Sequence, residues 1–124
     1  MGKREMKIVR LGILGCANIV EKQIILALKE VESCKLVAIA SRDVSKAKEW
    51  AERFGCEYEI SYDSLLNRTD IDAVYIPLPV GLHKEWAVKA AKAGKHIICE
   101  KSLAESFRSV QEMVRACEQK GVHL

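Results

Sequence analysis

The stretch "KIVRLGILGCANIV", Lys7–Val20, decides how the rest of this chain is read. "KIVRLGIL" (7–14) is dense in Val, Ile and Leu and runs into Gly15, so it reads as a strand. Beyond the glycine, Val20, Ile24, Ala27, Leu28 and Val31 recur at helical spacing, which predicts an amphipathic helix over 18–32. Strand, tight turn and helix open a strand–helix–strand unit, and the free N–H groups at such a helix start favour an anion. A dinucleotide-binding turn asks for three glycines: one for the bend, one where backbone meets pyrophosphate, one for helix–strand packing. Here Gly15 fills the first place, Ala17 the second and Val20 the third. A tight turn with no ligand fits the same residues. Gly12 sits three residues earlier, inside the strand, where a missing side chain lets a loop or helix approach.

The alternation continues outward from that unit. "KLVAIA" (35–40) predicts a second buried strand. Asp43 is placed to cap a helix whose apolar stripe is Val44, Ala47, Trp50, Ala51 and Phe54, with Gly55 as its left-handed stop. "CEYEI" (56–60) predicts a short, polar edge strand, followed by a brief helix at Tyr62–Leu66. "DAVYIPL" (72–78) is the next strand, its pairing limited by Pro77. A helix over 82–93 carries Leu82, Trp86, Ala90 and Ala93 on one side and stops at Gly94. "HIICE" (96–100) reads as a fifth strand, buried on both faces. The last helix, about 106–120, buries Phe107, Val110, Met113, Val114 and Cys117 and ends at Gly121, and "VHL" begins a sixth strand that is cut off. Strands alternating with helices predict an α/β fold, a doubly wound parallel sheet of the Rossmann type. Residues 7–124 form that single domain behind an arm at 1–6.

Composition excludes several classes of function. The 124 residues carry 20 Lys and Arg against 17 Asp and Glu, interleaved and without a basic block, so no nucleic-acid surface is expected. No apolar run reaches membrane-spanning length, and "MGKREMK" has no apolar core behind it, so it is not a signal peptide. Cys16, Cys34, Cys56, Cys99 and Cys117 are odd in number, form no CxxC pair and lie mostly in apolar segments. Buried thiols in a reducing, cytoplasmic setting follow, and no metal site is expected.

In a doubly wound sheet, ligands bind at the carboxyl ends of the strands. At the second strand's tip stand Ser41, Arg42 and Asp43. A carboxylate at the tip accepts from the ribose 2′-OH of NAD, whereas a hydroxyl and a guanidinium suit the 2′-phosphate of NADP. With Asp43 given to the helix cap and Lys46 adding charge one turn on, NADP is favoured over NAD; a surface arginine at a helix start has the same pattern. Pro77 and Pro79 stiffen the loop after the fourth strand, and His83 follows as either a packing residue or a ligand contact. His96 opens its strand at the opposite edge and reads as structural. Glu100 and Lys101 end the fifth strand as either a surface pair or a site, where a lysine can donate to a substrate oxygen.

Taken together, "GILGCANI", "AIASRD" and "DAVYIPLPVGLHKEWAVKAAKAGKHIICEKSLA" resemble one family in order and separation. It is the oxidoreductase family typified by glucose-fructose oxidoreductase and inositol dehydrogenase, the Gfo/Idh/MocA family, and the motifs are closest to its dimeric dihydrodiol dehydrogenase-like members. The resemblance covers about 7–124 and corresponds to that family's N-terminal cofactor domain. It implies that Gly15, Cys16, Ala17, Asn18 and Ile19, with Gly12 behind them, hold a pyrophosphate. It implies that Ser41 and Arg42 take a 2′-phosphate, and that Pro77, Leu78, Pro79 and His83 lie along the nicotinamide half. Glu100 then contacts the cofactor, and Lys101 is the lysine of an "EKP" motif that binds the substrate hydroxyl and assists proton transfer. The chain departs at Ser102, which replaces the motif's proline, and it lacks the family's second α/β domain, which supplies the substrate pocket and most of a homo-oligomer interface. The expected activity is hydride transfer between NADP and a hydroxyl or carbonyl carbon of a sugar, nucleotide sugar or cyclic diol. The alternative is a stand-alone NADP-binding module without catalysis.

Overall fold

The computed structural model describes residues 8–17, 33–99 and 107–124. The helix expected over 18–32, the residues Asn18, Ile19, Val20, Glu100, Lys101 and Ser102, the side chain of Phe107 and the arm at 1–6 lie outside the described residues. The described strands are β1 (Val9–Leu14), β2 (Cys34–Ala40), β3 (Glu57–Glu59), β4 (Ala73–Ile76) and β5 (His96–Cys99). Four α-helices lie between or after them: α1 (Val44–Phe54), α2 (Tyr62–Leu66), α3 (His83–Lys92) and α4 (Phe107–Lys120). The strands form one sheet in the order β3-β2-β1-β4-β5, with every pairing parallel.

Strand alternation divides the core into two layers. Leu14, Ala38, Ala40, Val74, Ile76 and Ile97 point to one face, where they meet α2, α3 and α4 through Leu65, Ala87, Ala90 and Met113. Leu11, Ile13, Ile39, Ala73 and Tyr75 point to the other, where Trp50 and Ala51 of α1 cover them. Successive strand side chains face opposite ways, so a sheet covered on both faces needs continuous apolar strands. Burying a side chain such as Ile13 or Leu65 is worth about 2 kcal/mol.

The caps follow their sequence signals. Asp43 accepts through Oδ1 from the N–H groups of Ser45 (3.0 Å) and Lys46 (3.3 Å), and Gly55 ends α1 at φ 71°. The edge strand β3 is short and charged, which discourages pairing with another chain. Arg68 binds its Glu59 at 2.8 Å and also Asp70 at 2.9 Å.

Four expectations are corrected. In α3 the buried positions are His83, Ala87, Ala90 and Ala91; Leu82 and Trp86 are half-buried and Ala93 is exposed. The cause is a 3₁₀ turn at Val80–Leu82, closed by Leu82 N–H to the Pro79 carbonyl (2.8 Å), which sets the start and facing of α3. In β5, Ile97 is buried but Ile98 is 52% exposed, because β5 is an edge and no described helix covers that face. Val44 and Val114 are exposed for a similar reason, at the margins of their stripes. Of the five thiols only Cys117 is buried; the other four are half-buried, and all are free. "VHL" forms no strand among the described residues, though it lies beside β5: the Ile97 N–H donates to the His123 carbonyl (2.8 Å), and the His123 N–H donates to His96 Nδ1 (3.0 Å).

Candidate functional site

Between β1 and β4 the strand order reverses direction, and the chain leaves the two tips toward opposite sides. That is where an open α/β sheet forms a crevice beyond its carboxyl ends. Gly15 stands at the tip of β1 with φ 122°, a conformation that side-chain-bearing residues rarely adopt. A Cβ there would sit 2.9 Å from Leu78 Cδ2. The Gly15 N–H donates to the Ala40 carbonyl (2.8 Å), which fastens the β1 tip to the β2 tip. The missing side chain also leaves Leu78, beyond the β4 tip, room beside the β1 tip. Cys16 and Ala17 continue the loop half-buried, packed on the α1 side of the sheet. Burial pushes the Cys16 thiol up, opposed by a hydrogen bond with the Ser41 side chain.

Gly12 is placed differently. The space its Cβ would take holds Leu65 Cδ2 (2.8 Å) and Ile71 Cδ1 (2.9 Å), so the missing side chain serves packing of α2 on the sheet rather than contact at the crevice.

At the tip of β2, Ser41 is buried and its Oγ accepts from the Asp43 N–H (3.2 Å). Asp43 caps α1 through its Oδ1. Arg42 is exposed and borders a cleft of about 340 Å³ with Ser41, Ile60, Tyr62 and Trp86. Lys46 is exposed on the first turn of α1, its ammonium 5.4 Å from the Trp50 ring centroid. The Ile60, Tyr62 and Trp86 wall was not anticipated from sequence. Its signal was available, since Ser61 caps α2 and so fixes Tyr62 at the head of a one-turn helix.

At the tip of β4, Pro77 and Leu78 are half-buried and Pro79 is exposed. His83 is 1% exposed, and its Nε2 donates to the Leu78 carbonyl. Through this bond His83 clamps the Pro77–Pro79 loop. β5 ends at Cys99 on the same edge, with burial pushing that thiol up to about 11. Glu100 and Lys101 follow it outside the described residues. Among the described residues no group of three His, Cys, Asp or Glu could hold a metal ion, and no helix is long and apolar enough to cross a membrane.

A glycine-bent strand tip, a basic second tip and a switch point between β1 and β4 define a Rossmann-type dinucleotide-binding fold. The profile of the oxidoreductase family with an NAD-binding Rossmann fold matches residues 9–124, and the chain belongs to that family, Gfo/Idh/MocA. It is 43% identical over 118 residues to a dTDP-3,4-didehydro-2,6-dideoxy-α-D-glucose 3-reductase of Saccharopolyspora spinosa, covering 95% of this chain and 36% of that enzyme. It is also 43% identical over 114 residues to D-xylose 1-dehydrogenase (NADP(+)) 2 of Haloferax volcanii, covering 91% of this chain and 35% of the relative. The crystal structure of KijD10, a 3-ketoreductase from Actinomadura kijaniata in complex with NADP and TDP-benzene, superposes with a TM-score of 0.90 at 39% identity, covering 94% of this chain and 36% of that one. The chain therefore spans about a third of the length of the relatives it matches.

Proposed function

We propose that the protein is an NADP-dependent oxidoreductase acting on a hydroxyl or keto carbon of a sugar or nucleotide sugar. The observation that carries the reading is at the β2 tip: Asp43 is locked into the α1 cap while the Arg42 guanidinium stands exposed beside Ser41. A hydroxyl beside an exposed guanidinium suits a 2′-phosphate. The relatives named above support the substrate class, being nucleotide-sugar and sugar oxidoreductases, and two of them support the cofactor: the Haloferax volcanii enzyme is named for NADP and KijD10 is crystallised with it.

The crevice fits the group. Gly15 keeps clear the space that a side chain would fill, and Cys16 and Ala17, with Asn18 and Ile19 after them in the sequence, would hold the pyrophosphate. Ser41 and Arg42 bind the 2′-phosphate, with Lys46 adding charge. The rigid Pro77–Pro79 loop, clamped by His83, borders the nicotinamide half and excludes water from it. When bound, the nicotinamide supplies or accepts the hydride. Lys101, two residues beyond β5, holds the substrate oxygen and moves its proton, and Glu100 positions the cofactor beside it. Five free thiols suit a reducing compartment, so we place the protein in the cytoplasm.

Fluorescence titration with NADPH and NADH tests this. NADPH should bind at least tenfold more tightly. Absence of binding by either cofactor overturns the proposal, and tighter NADH binding overturns the role of Arg42. For Lys101, the Lys101→Ala variant of the intact protein should lose about 10²- to 10⁴-fold in turnover of a keto-sugar substrate.

A further inference from the structure

We propose that His83 is a positioning residue for the glycine turn: through the Leu78 carbonyl it holds the Leu78 side chain in the slot that Gly15 leaves open, and so sets the gap between the β1 and β4 tips. The proposal rests on the reading of that gap as a cofactor crevice and adds to it the device that fixes its width.

His83 opens α3, and its backbone N–H donates to the Val80 carbonyl across the 3₁₀ turn. The ring is 1% exposed, and the other buried members of its helix, Ala87, Ala90 and Ala91, are all alanine. A polar ring in such a place needs a partner, and Nε2 donates to the Leu78 carbonyl (2.5 Å). Leu78 lies two residues past the last β4 pairing, Ile76 with Cys99, so the sheet ladder does not hold it. The prolines on either side carry no N–H and cannot fasten the loop by donating. Its carbonyls do so instead: Pro79 accepts from the Leu82 N–H (2.8 Å) and Leu78 from His83.

The Leu78 side chain reaches the glycine turn. Its Cδ2 lies 2.9 Å and its Cγ 3.7 Å from where a Gly15 Cβ would stand. Gly15 is anchored in turn from the far side, its N–H on the Ala40 carbonyl (2.8 Å). A continuous line of contact therefore runs from α3 through Leu78 and Gly15 to β2, across the switch point. Without the imidazole bond the loop is freer and Leu78 no longer has one place in the slot. Binding a dinucleotide then has to reorder the loop first, which costs affinity. The pyrophosphate is common to NADPH and NADH, so the loss falls on both.

The test is a set of variants of the intact protein, with NADPH and NADH dissociation constants measured by fluorescence titration. His83→Leu keeps a buried side chain of similar bulk and removes the donor. It should weaken both cofactors about fivefold, the worth of one hydrogen bond. His83→Gln, whose amide can donate from a similar position, should restore binding to within about twofold of the parent. In a Leu78→Ala background His83→Leu should add little, because no side chain is left to hold in the slot. Parent-like binding by His83→Leu overturns the proposal, as does a His83→Gln loss as large as that of His83→Leu, or an undiminished loss in the Leu78→Ala background. If His83→Leu does not fold, His83→Asn replaces it: its amide is one carbon too short to reach, so it should show the loss that His83→Gln avoids, and equal binding by the two overturns the proposal. The cofactor reading fails separately, through a parent that binds neither dinucleotide, and the proposal falls with it.

Discussion

Replacing Gly15 by alanine should cost about 2–4 kcal/mol, and the structure says where that cost arises. At φ 122° an L-residue is strained by about 1–3 kcal/mol. The new methyl group would also stand 2.9 Å from Leu78 Cδ2, so Leu78 has to leave its rotamer, for about 0.5–1.5 kcal/mol more. If the loop holds its shape, the loss appears in the urea or thermal midpoint. If the loop yields, it appears in NADPH affinity, at roughly 30- to 700-fold by the usual conversion. Both are measured on the same preparation, by denaturation followed by circular dichroism and by fluorescence titration. Adding Leu78→Ala to Gly15→Ala should recover about 1 kcal/mol by removing the contact, while the backbone strain stays. A Gly15→Ala protein that melts and binds NADPH like the parent would refute the argument, because neither the positive φ nor the Leu78 contact would then matter.

Other perturbations separate packing from binding. Asp43→Ala should destabilise by about 1 kcal/mol through loss of the α1 cap and leave the NADPH:NADH ratio as it was; a selective loss of NADH affinity in a titration would show the carboxylate on a ribose instead. Leu65→Ala should cost about 3 kcal/mol in urea denaturation, and Gly12→Ala should be tolerated better in that background than alone, since Leu65 Cδ2 is what the added methyl would meet at 2.8 Å. Burial holds the Cys56 and Cys99 thiols at about 11 against an ordinary 9.0. The folded protein therefore keeps protons that the unfolded chain releases between pH 9 and 11, and stability should fall as pH rises through that window. At pH 8 the two thiols should react with a disulfide reagent about a hundredfold more slowly than an exposed cysteine, and labelling at the free rate would contradict their burial.

Much of the fold is legible in the sequence because its signals are local. Asp43 and Gly55 mark the two ends of α1 by cap chemistry alone, and Tyr62–Leu66 is a one-turn helix bounded by Ser61 and Asn67. The apolar runs of β1, β2 and β4 need no partner to be recognised as strands covered on both faces. What sequence misread depended on neighbours. Ala93 shares a helical stripe with Leu82, Trp86 and Ala90 on a wheel that starts at residue 82. The 3₁₀ turn before His83 resets the wheel, and the buried stripe becomes His83, Ala87, Ala90 and Ala91. Ile98 has the composition of a buried strand residue, but its exposure is set by β5 lying at an edge, which is a property of topology. At the site, Gly15, Ser41 and Arg42 were recognisable from chemistry at strand tips. Tyr62 and Trp86 were not, because they come from two separate helices and meet only when α2 and α3 pack on the same face.

The hydrogen bond from the Gly15 amide to Ala40 bears on how anion donors are counted along the first loop. A strand-to-helix turn is usually credited with every N–H from its glycine onward. Here the first is already taken by a neighbouring strand. The Gly15 N–H is thus unavailable to a phosphate placed in the crevice, and on the proposed reading Gly15 contributes shape and no donor. The loop's anion affinity then belongs to the residues after the glycine, and the glycine's own share is to let them arrive there.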